Sequence, residues 1–169
     1  WRSAEARLNG YEQGMAEVRG ERMHFLHVRS KHPQAQPLVI VHGWGGSIIE
    51  HLDGLDRLVD PPAHGGSADD AYHVIVPSMP GYGFSGPTRQ PGFTCFDVAD
   101  AVADLMEALG YPRYLAQGGD WGALVVRRLA VAYPERLAGV HFNMLFAQPE
   151  PGPDGALTHH RQSRFASHP

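Results

Sequence analysis

Three apolar runs in this chain each end in a glycine-rich turn and lead into a segment with helical periodicity or a helix-opening turn. They are PLVIVHGWGGS at 37–47, YHVIVPSMPGYGFSG at 72–86 and RYLAQGGDWGA at 113–123. A continuous β-branched run closed by glycine suits a strand buried on both faces of a parallel sheet. Strands alternating with helices through short turns restrict the chain to an α/β layer structure with a mostly parallel sheet. Functional groups in such sheets collect where the carboxyl ends of the strands open into loops. All three turns are therefore expected on one edge of the sheet.

The intervening segments fit this plan. GMAEVRGERMHFLHVRS at 14–30 alternates around Gly20 as a β-hairpin does, with Met23, Phe25 and Val28 as its inward set. SIIEHLDGLDRLVDPP places Ile48, Leu52, Leu55 and Val59 at helical spacing, with Ser47 and Glu50 at capping-box positions and a proline pair as the stop. PAHGGSADDA reads as a polar loop. In TCFDVADAVADLMEALG, Thr94 is the N-cap, Val98, Val102, Leu105, Met106 and Leu109 share a face, and Gly110 ends the helix. WGALVVRRLAVAYP is a further helix, and LAGVHFNML a fourth buried strand containing His141.

Composition narrows the function. Fourteen basic and eighteen acidic residues give a formal charge of −4 without a basic stripe, which argues against nucleic acid and anionic membrane as partners. The single cysteine, Cys95, excludes an internal disulfide and a thiolate-rich metal site. Eleven histidines show no HExxH or comparable ligand spacing, so no metal site is expected. No run reaches the roughly 18 apolar residues needed to span a bilayer, and a cytoplasmic location is expected. The chain opens on Trp1 and stops at RFASHP after a Pro/Gly-rich stretch, which reads as a fragment.

The chemistry centres on QGGDWGA. A tight strand-turn-helix needs residues without bulk around the exposed one, and Gly118, Gly122 and Ala123 supply that room; this is the geometry of a nucleophile elbow. Its central residue is Asp120, which has an alternative role as the N-cap of the following helix, where a carboxylate suits the positive end of the dipole. HGWGGS adds backbone amides at Trp44 and Gly45 that could form one arm of an oxyanion hole. Two strand-terminal motifs of this kind favour the nucleophile.

With those residues in view, the chain resembles the α/β-hydrolase superfamily, and within it the epoxide hydrolases of the microsomal and juvenile-hormone type and their bacterial relatives. The family's small-x-Asp-x-small-small motif is matched by Gly118, Gly119, Asp120, Trp121, Gly122 and Ala123. Its HGWPGS motif is matched at His42, Gly43, Trp44, Gly46 and Ser47, with Gly45 where the family has proline. Its G-x-small-x-Ser/Thr loop is matched by Gly81, Tyr82, Gly83, Phe84 and Ser85. A cis Trp44–Gly45 peptide would cost about 2.5 to 4 kcal/mol, so a looser arm or a trans peptide is expected. The resemblance divides the chain into the end of an N-terminal extension (1–14), the first half of an α/β-hydrolase core (15–147) and a linker towards a cap (148–169).

The resemblance implies that Asp120 attacks an epoxide and that the Trp44 and Trp121 amides stabilise the oxyanion when water cleaves the ester. The partners would be a small apolar epoxide and water, and the resemblance implies no cofactor. It also implies two cap tyrosines, a late acid and a histidine. None of His141, His159, His160 and His168 suits the base, and Tyr82, Tyr111 and Tyr133 do not suit the cap acids, so the isolated chain is expected to lack turnover. The other readings are a haloalkane dehalogenase and a non-catalytic binding protein of the same fold. Which epoxide is taken, and the oligomeric state, stay open at this level.

Overall fold

A computed structural model describes residues 1–145. A short helix α1 (Arg2–Leu8) precedes the hairpin β1 (Gln13–Val18) and β2 (Glu21–Val28), after which strands and helices alternate. The order is β3 (Gln36–Val41), α2 (Leu52–Val59), β4 (Tyr72–Pro77), α3 (Cys95–Ala108), β5 (Tyr114–Gly118), α4 (Trp121–Ala132) and β6 (Leu137–Phe142). These strands form one sheet in the order β1-β2-β4-β3-β5-β6. β1, β2 and β4 pair antiparallel, whereas β4, β3, β5 and β6 are mutually parallel.

The period-two geometry of a strand divides each apolar run between two cores. Val39 and Val41 of β3, Ile75 of β4 and Met23 and Phe25 of β2 meet α3 and α4 on one face. Ile40, Val74, Val76 and Leu26 meet α2 and Leu8 of α1 on the other. Val28 lies with the second group, because it is an odd number of residues from Met23 and Phe25. The hairpin therefore has no single inward set: β2 is covered on both faces from Met23 onward, whereas Gln13, Met15 and Glu17 of β1 stay exposed. Its two-residue turn places Arg19 and Gly20 at φ 53° and 77°, as a type I′ turn requires. Arg19 Nε is tied to Asp104 of α3 at 2.6 Å.

Three local expectations change. Residues 48–51 form a 3-10 turn before α2, and Ser47 Oγ accepts from the Ile49 amide at 3.3 Å, so the capping box of Ser47 and Glu50 is not the arrangement adopted. The box forms instead on α3, where Thr94 Oγ accepts from Phe96 N–H and the Asp97 carboxylate accepts from Thr94 N–H at 2.7 Å. The 62–71 loop carries 3-10 turns at Pro61–His64 and Ala68–Asp70. His141 is exposed rather than buried, since β6 pairs with β5 alone among the described strands. The 148–169 linker, with His159, His160 and His168, lies outside the described residues.

Candidate active site

The loops after β3, β4 and β5 meet on one edge of the sheet, as parallel strands require. Asp120, between β5 and α4, has φ 50° and ψ −125°, a conformation rarely occupied by a residue with a side chain. The close packing around it leaves no other path. A Cβ on Gly118 would strike the Gly122 carbonyl, and one on Gly122 would strike the carbonyls of Val41 and His42, so α4 lies directly against the end of β3. The carboxylate makes no capping bond to its own helix. It accepts instead from the Trp44 backbone N–H, at 2.7 Å, across from β3. The side chain therefore does not cap α4; it turns into the edge cleft instead.

Gly43 permits this approach, since a Cβ there would stand 2.5 Å from the Asp120 Cβ. Gly45 has φ 75°, open space around it, and a trans peptide before it. Proline, fixed near −65°, could not hold this turn. The loop nonetheless presents the Trp44 amide to Asp120. Trp44 is 72% exposed and Trp121, the first residue of α4, is 44% exposed.

His42 is buried and fastens two of the loops together. Its Nε2 accepts from the Met79 N–H at 3.1 Å, which leaves Nδ1–H to donate to the Gly43 carbonyl at 3.0 Å. The Tyr82 ring meets it edge-on, with centroids 5.3 Å apart. A ring that accepts an N–H at Nε2 and donates from Nδ1 is neutral, and burial lowers its pKa in the same sense. Ser85 braces the loop in a similar way, its hydroxyl donating to the Ser78 carbonyl at 2.5 Å and accepting from the His24 N–H at 2.9 Å. Gly81 and Gly83 bend the same loop, with φ 91° and 49°. Glu21, buried in β2, accepts from the Arg89 and Gln90 amides and pins the following segment.

With the elbow, the amide opposite it and the sheet order established, comparison with known proteins is decisive on one point. Residues 36–169 match the family described as the alpha/beta hydrolase fold. The chain belongs to that family. Residues 1–51 of this α/β-hydrolase match the family described as epoxide hydrolase N terminus. A Stigmatella aurantiaca protein provisionally named an epoxide hydrolase is 48% identical over 98% of the chain and 38% of its own length. Epoxide hydrolase 1 of Oryctolagus cuniculus is 39% identical over 85% of the chain and 32% of its own length. The crystal structure of juvenile hormone epoxide hydrolase from the silkworm Bombyx mori superposes with a TM-score of 0.77 at 35% identity, over 88% of the chain and 35% of that protein. This α/β-hydrolase thus spans about a third of the length of the relatives it matches.

The edge cleft encloses about 200 Å³ and is lined by Asp120, Trp44, Gly46, Glu50, His51, Gln117 and Asn143 among others. Four of these escape a reading of the sequence. Gln117 precedes the elbow on β5, and Asn143 reaches Gly119 from beyond β6, where a Cβ on Gly119 would collide with its amide. Glu50, a capping candidate by spacing, lays its carboxylate over Gly46; His51 follows it. Two of the tyrosines are engaged elsewhere: Tyr133 donates to Asp100 at 2.9 Å and Tyr111 is hydrogen-bonded to His27 at 2.9 Å. No helix among the described residues is long and apolar enough to cross a membrane.

Proposed function

We propose that the protein carrying this chain is an epoxide hydrolase that opens a small apolar epoxide to a vicinal diol through an ester on Asp120. The observation that carries the reading is the Asp120 carboxylate, lifted out of its helix and accepting the Trp44 amide through Oδ1. The match of residues 1–51 to an epoxide hydrolase N terminus supports the substrate class. With Oδ1 engaged, Oδ2 is the oxygen free to attack an epoxide carbon; the carbon–oxygen bond breaks and an acid protonates the alkoxide. Oδ1 then becomes the ester carbonyl, already seated against an N–H. Water adds to that carbonyl, and negative charge develops on the oxygen held by the Trp44 amide, with Trp121 N–H at the start of α4 as the second arm. Loss of the alcohol regenerates the carboxylate without a cofactor.

His42 and Ser85 position the loops in this scheme, while the base, its acid partner and the tyrosines belong to later parts of the polypeptide. A cytoplasmic location belongs to the same proposal, supported by the lone cysteine. The test is a single turnover of styrene oxide by the complete polypeptide in ¹⁸O-water. Water attack on the ester leaves the label in Asp120 and the diol unlabelled; label in the diol after one turnover, with none in Asp120, would refute the covalent route. Halide release from a haloalkane without diol formation from the epoxide would favour the dehalogenase reading.

A further inference from the structure

Glu50 and His51 stand in the nucleophile cleft with no part in the scheme above. The Glu50 carboxylate lies over the α-carbon of Gly46, where a Cβ would come within 2.5 Å of Oε1. This places an acceptor beside the turn whose Trp44 amide engages Asp120. His51 Nε2 is buried and has no hydrogen-bond partner among the described residues. It faces Glu50 Oε1 at 3.8 Å, which is too long for a direct hydrogen bond and suited to a bridging water. The cleft of about 200 Å³ has room for one, since a water occupies roughly 30 Å³. The groups that face His51 are Glu50 beside it, His42 and Asp120 across the cleft, and His141 from β6. Burial outweighs Glu50 and lowers the His51 pKa, and with Nε2 turned towards a carboxylate the Nε2–H tautomer can donate to a water that in turn donates to Glu50.

We infer that Glu50 and His51 hold the hydrolytic water: Glu50 accepts one of its protons, His51 Nε2–H donates to its oxygen, and the second proton is left for the base while a lone pair turns towards the carbonyl carbon of an ester on Asp120. The inference rests on the ester route proposed above. In the step concerned, the water oxygen bonds to that carbon while one water proton passes to the base. The ester carbon–oxygen bond then breaks, and the departing alkoxide takes the proton back. Glu50 and His51 are water-positioning residues. Their loss slows this step and leaves the alkylation of Asp120 by the epoxide unchanged.

The test uses the complete polypeptide with styrene oxide, rapid quenching, and the mass of the peptide containing Asp120 as readout. In Glu50→Gln, the ester should form within about threefold of the wild-type rate and be hydrolysed at least about tenfold more slowly, so that it accumulates; these limits follow the scale of losses for single proton-handling groups. His51→Phe should shift the same step in the same direction, and Glu50→Asp should recover part of it. Equal slowing of both steps marks a structural role and overturns the inference, as does an unchanged hydrolysis rate in both variants. If the wild-type protein forms neither ester nor diol, the epoxide reading fails and this inference with it. A wild type that turns over beside unaffected variants sinks this inference alone.

Discussion

Asp120 occupies a backbone conformation that costs of order 1–3 kcal/mol and persists only because the packing of α4 on β3 enforces it. Asp120→Asn should abolish ester formation, detected as the absence of a mass increment on the elbow peptide after exposure to epoxide. Its unfolding free energy in urea should fall by no more than about 1 kcal/mol, since an amide oxygen can still accept from Trp44 and only the charge assistance is lost. A larger loss would mean that the carboxylate is built into the fold. Gly45 makes a complementary case: nothing lies within 4 Å of a Cβ there, so Gly45→Ala meets only the penalty of φ 75°, about 1 kcal/mol in the same measurement. The motifs identify Asp120 and the glycines around it by residue type. Glu50, His51, Gln117 and Asn143 carry no such mark, because their place in the cleft comes from chain segments that meet only after folding.

Helix α3 starts on a reciprocal cap and α4 on none, and the difference follows from what each N-terminus does. Thr94→Ala should lower stability by about 1 kcal/mol through loss of the cap, read from the urea midpoint at constant m-value. At the sheet end of α4, Gly122→Ala drives a methyl into the Val41 and His42 carbonyls and should cost about 1–3 kcal/mol. On β5, burial pushes the Tyr114 hydroxyl up to about 12, and it has no hydrogen-bond partner among the described residues. Tyr114→Phe should therefore be neutral or stabilising, and a loss above about 1 kcal/mol would point to a partner for the hydroxyl. Every expected strand and helix forms, because each carries its own period and its own glycine punctuation. The capping box moves from Ser47 to Thr94, since spacing alone cannot say which way a Glu50 side chain turns once a cleft is available to receive it.

Across the whole molecule, burial is the largest cause lowering the pKa of His24, His27, His42, His51 and His73. The unfolded chain then binds more protons than the folded one once the pH falls below the ordinary histidine value of 6.5. Stability is complete above that pH and declines as it is lowered towards the folded-state values. Urea unfolding should show a falling midpoint from about pH 7.5 to about pH 5.5, whereas a rise over that range would contradict the burial of these rings.

A second molecular feature is the groove of about 570 Å³ over β3, β5 and β6, lined by Leu38, Ile40, Leu58, Leu115 and Val140 among others. Another, of about 410 Å³, lies beside Trp121, Leu124 and Val131 on the elbow helix. Together they should make the 169-residue chain bind a hydrophobic dye in its folded state. By itself the sequence determined the layer architecture, the common edge of the three turns and the residue type at the elbow, because local periodicity and glycine placement act over a few residues. Only the tertiary structure decided that Asp120 faces Trp44 rather than its own helix, that His42 is a neutral brace, and that Glu50 and His51 share the cleft. Those outcomes depend on β3 and β5 lying side by side, and no local pattern encodes a distance across the sheet.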